Sequence, residues 1–230
     1  MIKTFLILLS FKTFLFASQQ IILVVSEDFQ SKKAMLECYE DSKIKCGSME
    51  VNLGQNGLGW GIGEVPLMQR ISEPHKREGD KKAPAGVFKL TDIYGYNKKS
   101  NLQMPYLYAS KELICVDDSD SMFYNQIIQA KGNEKSFEMM KKEDHRYELG
   151  IVVAHNKMAK KEDGSCIFLH VKLSEDEYTS GCTAMNLDEI TKIIQWLDKS
   201  KNPLLIQIPK SSSAEIKKLY PQLEASKLLK

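Results

Sequence analysis

The chain alternates between short, dense apolar runs and polar, turn-rich stretches, and a helical period emerges only in its last quarter. The segment "QQIILVVSED" (19–28) is apolar without alternation, the pattern of a strand covered on both faces. "AMLECY" and "SKIKCGSMEV" follow as short strand-like pieces separated by polar turns. The glycine- and asparagine-rich "NLGQNGLGWGIGEVP" (52–66) reads as a loop with Trp60 tucked against the body. Its "GLGWGIG" is no phosphate loop, because no helical pattern follows to present amides to a phosphate. Pro84-Ala85-Gly86 signals a turn into the strand "GVFKLTDIYG". A long irregular stretch runs from about residue 96 to 148, in which "KSFEMMKKEDHRY" reads as a short helix. Three more strand-like segments are "ELGIVVAHN", "SCIFLHVKL" and "PLLIQIP". Between the last two, "NLDEITKIIQWLDKS" is the best-patterned helix, with Asn186 as N-cap, Glu189 completing a capping box, and Leu187, Ile190, Ile193, Ile194 and Leu197 as one stripe. The tail from Ser212 is also helical in pattern, broken at Pro221. Many short strands with few helices predict a β-rich α+β domain of packed mixed β-sheets with flanking helices, and argue against a doubly wound parallel sheet.

Composition adds little until the two ends are read. With 230 residues, 43% hydrophobic and 27% charged, the chain can bury one sizeable core. A net charge of +2 predicts no polyanionic partner, so no nucleic acid. The lysine-rich final stretch, 211–230, reads as a basic helical tail with a solvated face, after a main domain spanning 19–210. Residues 1–18 fit a secretory signal peptide: Lys3, then an apolar stretch interrupted by Lys12, then small residues at Ala17 and Ser18. No span of membrane length is expected after its cleavage, and the reading places the mature chain in the periplasm or cell envelope.

Export changes the meaning of the five cysteines, Cys38, Cys46, Cys115, Cys166 and Cys182. In an oxidising compartment an odd count leaves one unpaired. Cys38 with Cys46 would close a short loop and Cys115 with Cys166 a longer one, but the pattern leaves connectivity open. No CxxC pair is present and the histidines lack zinc-ligand spacing, so neither a metal nor a cofactor is expected.

The chemistry concentrates in "CIFLHVKLSEDEYTSGCTAM" (166–185). His170 ends an apolar run, and Cys182 follows twelve positions later within Ser180-Gly181-Cys182-Thr183. A thiol attacks as thiolate, so a histidine within reach either raises the ionised fraction or takes the proton during attack. Amides around Gly181 and Cys182 are candidates for an oxyanion site, and the helix after Asn186 could turn its positive end toward the sulfur. The adjacent carboxylates Asp117 and Asp118 point to opposite faces of an extended chain and read as a turn rather than a dyad.

"SGCTAM" with an upstream "FLH" resembles the active-site signature of the L,D-transpeptidase catalytic domain family, the YkuD fold. "REGDKKAPAGVFKL" is similar to that family's R-x-GD-x-x-TP-x-G-x-F segment, with Ala83 where threonine is usual, and "CVDDSDSMFYNQII" and "GSCIFLHV" resemble a subgroup of bacterial cell-wall enzymes. The likeness spans roughly residues 70–200. It implies Cys182 as nucleophile, His170 as general base and then acid, a backbone carbonyl as the histidine's partner, Ser180 and Gly181 shaping the loop, and peptidoglycan stem peptides as substrate. Two features depart from the pattern. Ala184 stands where many members carry arginine, and the histidine-to-cysteine spacing is short. Arg77 and Arg146 are candidate replacements for anchoring a substrate carboxylate. His155, Tyr124 and Asn125 are further candidates for the cleft. Transpeptidation, L,D-carboxypeptidase trimming and a non-catalytic wall-binding module remain as functional readings. A papain-type protease fits poorly, since there the cysteine precedes the histidine. Oligomeric state is not legible.

Overall fold

The computed structural model describes residues 18–98 and 101–230; the signal segment expected at 1–18 lies, but for its last residue, outside these. Among these described residues, thirteen strands run in chain order as β1 (Gln20–Ser26), β2 (Lys33–Glu40), β3 (Lys43–Asn52), β4 (Leu58–Trp60), β5 (Ala83–Gly95), β6 (Tyr106–Tyr108), β7 (Leu113–Val116), β8 (Ile127–Gln129), β9 (Phe137–Met139), β10 (Leu149–Val153), β11 (Phe168–Val171), β12 (Thr183–Met185) and β13 (Leu204–Pro209). The helices α1 (Leu187–Trp196) and α2 (Ser213–Leu219) flank β13 in sequence.

β1 is buried at every position because it runs mid-sheet, antiparallel to β2 and parallel to β13. This is why its sequence is apolar without alternation. β5 is the longest strand. Its first part pairs with β13 and its second with β10, both antiparallel. The pairings β1–β2–β3–β12–β11–β10–β5–β13–β1 therefore close a ring of eight strands, with β4 and β6 attached to β5. One joint of the ring is thin: β12 meets β3 through the single pair Ala184↔Asn52. The fold is β-rich α+β as expected. In place of packed sheets, however, most strands close on themselves, and only β8–β7–β9 forms a separate three-stranded sheet.

α1 starts as its sequence dictates, with the Glu189 carboxylate accepting the Asn186 amide at 3.1 Å. Ile190, Ile193, Ile194 and Leu197 enter the main core, each worth about 1.5–3 kcal/mol of burial. Leu187, expected on that stripe, is 41% exposed because the first turn projects beyond the core edge. The helix expected within "KSFEMMKKEDHRY" is instead β9 followed by turns. There, Phe137 and Met139 alternate with Glu138, and this two-residue period pairs with β7. The final residues are not a detached segment: Ile216, Leu223 and Leu229 are buried in the main core, and the Ser226 hydroxyl donates to the buried Glu37 carboxylate at 3.0 Å.

Strand alternation creates two apolar compartments. Leu169 and Val171 of β11 face the main core together with α1, whereas Phe168 faces a smaller cluster of Tyr94, Ala109, Leu113, Cys115, Met140, Tyr147, Cys166 and Cys182. Two disulfides, Cys38–Cys46 and Cys115–Cys166, leave Cys182 free. The first staples β2 to β3; the second ties β7 to the chain entering β11.

Candidate active site

β11 and β12 are parallel neighbours, with Leu169 opposite Thr183 and His170 opposite Ala184. Cys182, one residue before β12, therefore falls opposite Phe168, on the same sheet face as His170. A two-residue step along one strand and one across puts the two α-carbons about 8 Å apart. Both side chains line one cavity of about 330 Å³, with Ser180 and Gly181 at its rim.

His170 is 5% exposed. Its Nδ1 lies 2.8 Å from the Val171 carbonyl oxygen. A carbonyl only accepts, so Nδ1 carries the proton and Nε2 is the basic nitrogen. Burial, the main cause, holds its pKa down at about 4, so the ring is neutral. Cys182 is 6% exposed; it accepts from the Phe168 amide at 3.3 Å and faces the Cys166 carbonyl at 3.6 Å. Burial pushes the thiol up to about 12, the Glu138 carboxylate pushes it the same way, and the Phe168 amide, the Tyr147 hydroxyl and Lys76 pull back. The resting site thus holds a thiol and a neutral imidazole on one cavity. Of the two activation routes open in the sequence, these shifts favour proton transfer during attack over a preformed thiolate.

Gly181 has φ +147°, and a Cβ there would sit 3.0 Å from the Lys82 carbonyl oxygen, so the turn before the cysteine requires glycine. The turn is tied internally. The Gly181 amide donates to the Thr179 hydroxyl at 3.1 Å, which itself donates to the Cys182 carbonyl at 2.6 Å. The Gly181 amide, expected as an oxyanion donor, is thus engaged by Thr179 in this structure. The α1 N-terminus is likewise no neighbour of the thiol, since α1 packs on the main core, on the other face of β11.

The remaining sequence candidates separate. Arg146 lines the cavity, but its guanidinium pairs with Asp144 at 2.7 Å and Glu177 at 3.3 Å. Arg77 is exposed and ion-paired to Asp163, away from the cavity lining. His155 does not share this cleft. It is buried beside a different cavity, its Nε2 bonded to the Asp163 carbonyl at 2.9 Å and its Nδ1 without a partner. Tyr124 and Asn125 are scaffolding. The Tyr124 hydroxyl donates to Glu78 at 2.5 Å, and the Asn125 side chain bonds the His155 and Asn156 carbonyls and the Cys166 amide. Together they hold the 155–166 loop from which β11 springs. The Asp118 carboxylate accepts the Asp120 amide at 3.0 Å, as a turn residue does, while Asp117 lines the cavity.

Sequence reasoning missed Lys76, Glu138 and Tyr147. Lys76 is 4% exposed, donates to Asp80 at 2.6 Å and to the Arg77 carbonyl at 2.7 Å, and stands behind the Gly181 turn on the cavity wall. A lysine with an aspartate four positions on, just before the start of β5, was the available signal. Glu138 and Tyr147 were hidden by the helical reading of their segment. The lining carries both signs: Lys76, Lys81, Lys142 and Arg146 against Glu78, Asp117 and Glu138.

At the level of sequence, no family model and no curated protein matches the chain. Among solved structures, the chain is similar to that of the helical cell shape determining protein Pgp2 (K307A mutant) from Campylobacter jejuni, at 16% identity and a TM-score of 0.42, over 83% of this chain. The match covers 47% of that protein, so this chain spans about half its length.

Proposed function

We propose that this protein is an exported cysteine acyltransferase of the L,D-transpeptidase kind, with a YkuD-type fold, acting on peptidoglycan stem peptides. The observation that carries the reading is one cavity holding a free thiol, Cys182, and a buried imidazole, His170, whose Nδ1 proton is fixed on a backbone carbonyl. The motif resemblance supplies the substrate class. Two disulfides support export to an oxidising compartment.

In this reading His170 Nε2 takes the thiol proton as Sγ attacks the carbonyl carbon of an L-residue joined to a terminal D-amino acid. The Lys76 ammonium supplies positive potential to the oxyanion. The C–N bond then breaks, His170 returns the proton to the leaving amine, and the D-amino acid departs from a thioester. An amine from a neighbouring stem completes a crosslink; water completes a trimming reaction. Hydrolysis is the second reading, favoured by the charged lining of the cavity, which does not exclude water.

Incubation with tetrapeptide muropeptides, read by mass spectrometry, separates the outcomes. Crosslinked dimers mean transfer and tripeptides mean hydrolysis. No product under any condition favours the wall-binding module and overturns the proposal, as does undiminished turnover in Cys182→Ala.

A further inference from the structure

Tyr147 borders both candidate reactive groups. Its ring packs edge-to-face on His170, with centroids 5.2 Å apart, and it shares the small apolar cluster with Cys182. Phe168 and Tyr94 hold the same ring at 5.6 and 5.7 Å, so its position is set from three sides. Its hydroxyl donates to Glu138 Oε2 at 2.6 Å. Glu138 reaches this spot because β9 alternates: Phe137 and Met139, each 42% exposed, face outward, and Glu138 faces in. The strand itself is anchored, since Glu138 pairs with Cys115, whose sulfur is bridged to Cys166.

On the strength of the acyltransferase reading, we infer that Tyr147 and Glu138 form a third part of the machinery: Tyr147 fixes the imidazole with its ring and donates its hydroxyl to the sulfur as negative charge develops there, and Glu138 is the positioning residue that parks this hydroxyl while the site rests. A hydroxyl has one proton to give. At rest the carboxylate holds it; once His170 takes the thiol proton, the sulfur becomes a second anionic acceptor beside it. The hydroxyl rotates from one anion to the other, and no bond to hydrogen breaks. The charged groups around this pivot are Lys142, whose Nζ lies 3.8 Å from Glu138 and 5.2 Å from the Tyr147 ring centroid, Lys76 on the wall behind Gly181, and the Arg146–Asp144 pair near His170. The Tyr94 hydroxyl, in the same cluster as Cys182, is buried without a partner.

The dyad makes two perturbations act with opposite sign, which a merely structural role does not. Glu138→Gln removes the competing anion, so Cys182 becomes more acidic; Tyr147→Phe removes the donor, so it becomes less so. Alkylation of Cys182 by iodoacetamide, followed from pH 6 to 10, reads this directly. Glu138→Gln is expected to speed alkylation about three- to tenfold at neutral pH and Tyr147→Phe to slow it by a similar factor. Phe137→Ser, on the outer face of the same strand, should leave the profile unchanged. Shifts in the same direction, or no shift in either variant, overturn the inference. If Tyr147→Phe does not fold, Glu138→Gln decides alone, and an unaltered rate there overturns it. Alkylation needs no peptide. Opposed shifts without muropeptide turnover would sink the acyltransferase reading and leave the dyad standing; turnover with unmoved alkylation would sink only the dyad.

Discussion

Removing the Cys115–Cys166 bridge tests how the fold holds its site. The bridge closes a loop of 51 positions, whereas Cys38–Cys46 closes one of 8. Loop-closure entropy then assigns the long bridge about 4 kcal/mol and the short one about 2.5 kcal/mol. Its consequences also differ in kind. The long bridge joins β7, and through it Glu138 on β9, to the residue whose carbonyl faces the Cys182 thiol. The short bridge staples two strands that already pair along most of their length. We expect Cys115→Ala/Cys166→Ala to lower the urea midpoint by about 1.5 M, at a typical slope of about 2.5 kcal/mol/M. It should also abolish selective alkylation of Cys182, because the small cluster opens. Cys38→Ala/Cys46→Ala should lose roughly 1 M and keep the alkylation profile. Equilibrium urea unfolding of both variants and the wild type, followed by fluorescence of the two tryptophans, measures this. An equal or larger loss for the short bridge, or an unchanged alkylation profile without the long one, would refute the reasoning.

Two further outcomes follow from groups already described. Gly181→Ala places a Cβ against the Lys82 carbonyl at positive φ, so it should cost about 2 kcal/mol of stability and suppress turnover more than Ala substitutions at exposed Ser180; melting temperature and muropeptide turnover check both. His155 and His170 are held neutral, each with pKa lowered to about 4 by burial, against about 6.5 in the unfolded chain, so the unfolded state binds more protons between these values and stability falls as pH drops through that window. Each contributes up to about 3 kcal/mol, present in full above pH 6.5 and lost by about pH 4. Urea midpoints from pH 8 to 4 should show the decline, His155→Gln should remove roughly half of it, and a flat profile contradicts the assignment.

The strongest apolar patterns were legible because burial alone sets them: β1, β13 and the α1 stripe apart from Leu187 stand where their periodicities placed them, while β5 starts at Ala83 and absorbs the turn read at Pro84-Ala85-Gly86, whose backbone is held in ladders with β4 and β13. The placing of His170 and Cys182 on one face was legible as well, since a strand and a glycine turn bring them there. What escaped depends on partners distant in sequence. The helical reading of 135–147 failed because β9 is defined by pairing with β7, which no local window contains. Ring closure escaped for the same reason, with one of its joints a single residue pair. His155 looked like a site residue because it follows a strand, and Tyr124 and Asn125 because they stand in the segment "CVDDSDSMFYNQII"; in the structure their hydrogen bonds satisfy a buried loop. Arg77 is drawn outward by Asp163, 86 positions away.

The pairing of β1 with β13 has a bearing on biosynthesis. Ile21 lies beside Leu204, so the innermost strand waits for a neighbour made 183 positions later (204 less 21). A nascent chain emerging at about 5–20 residues per second would carry that apolar strand with β2 alone beside it, its other edge open, for roughly ten to forty seconds. A polypeptide that cannot complete its central sheet until so distant a strand has emerged stays threadable in the meantime.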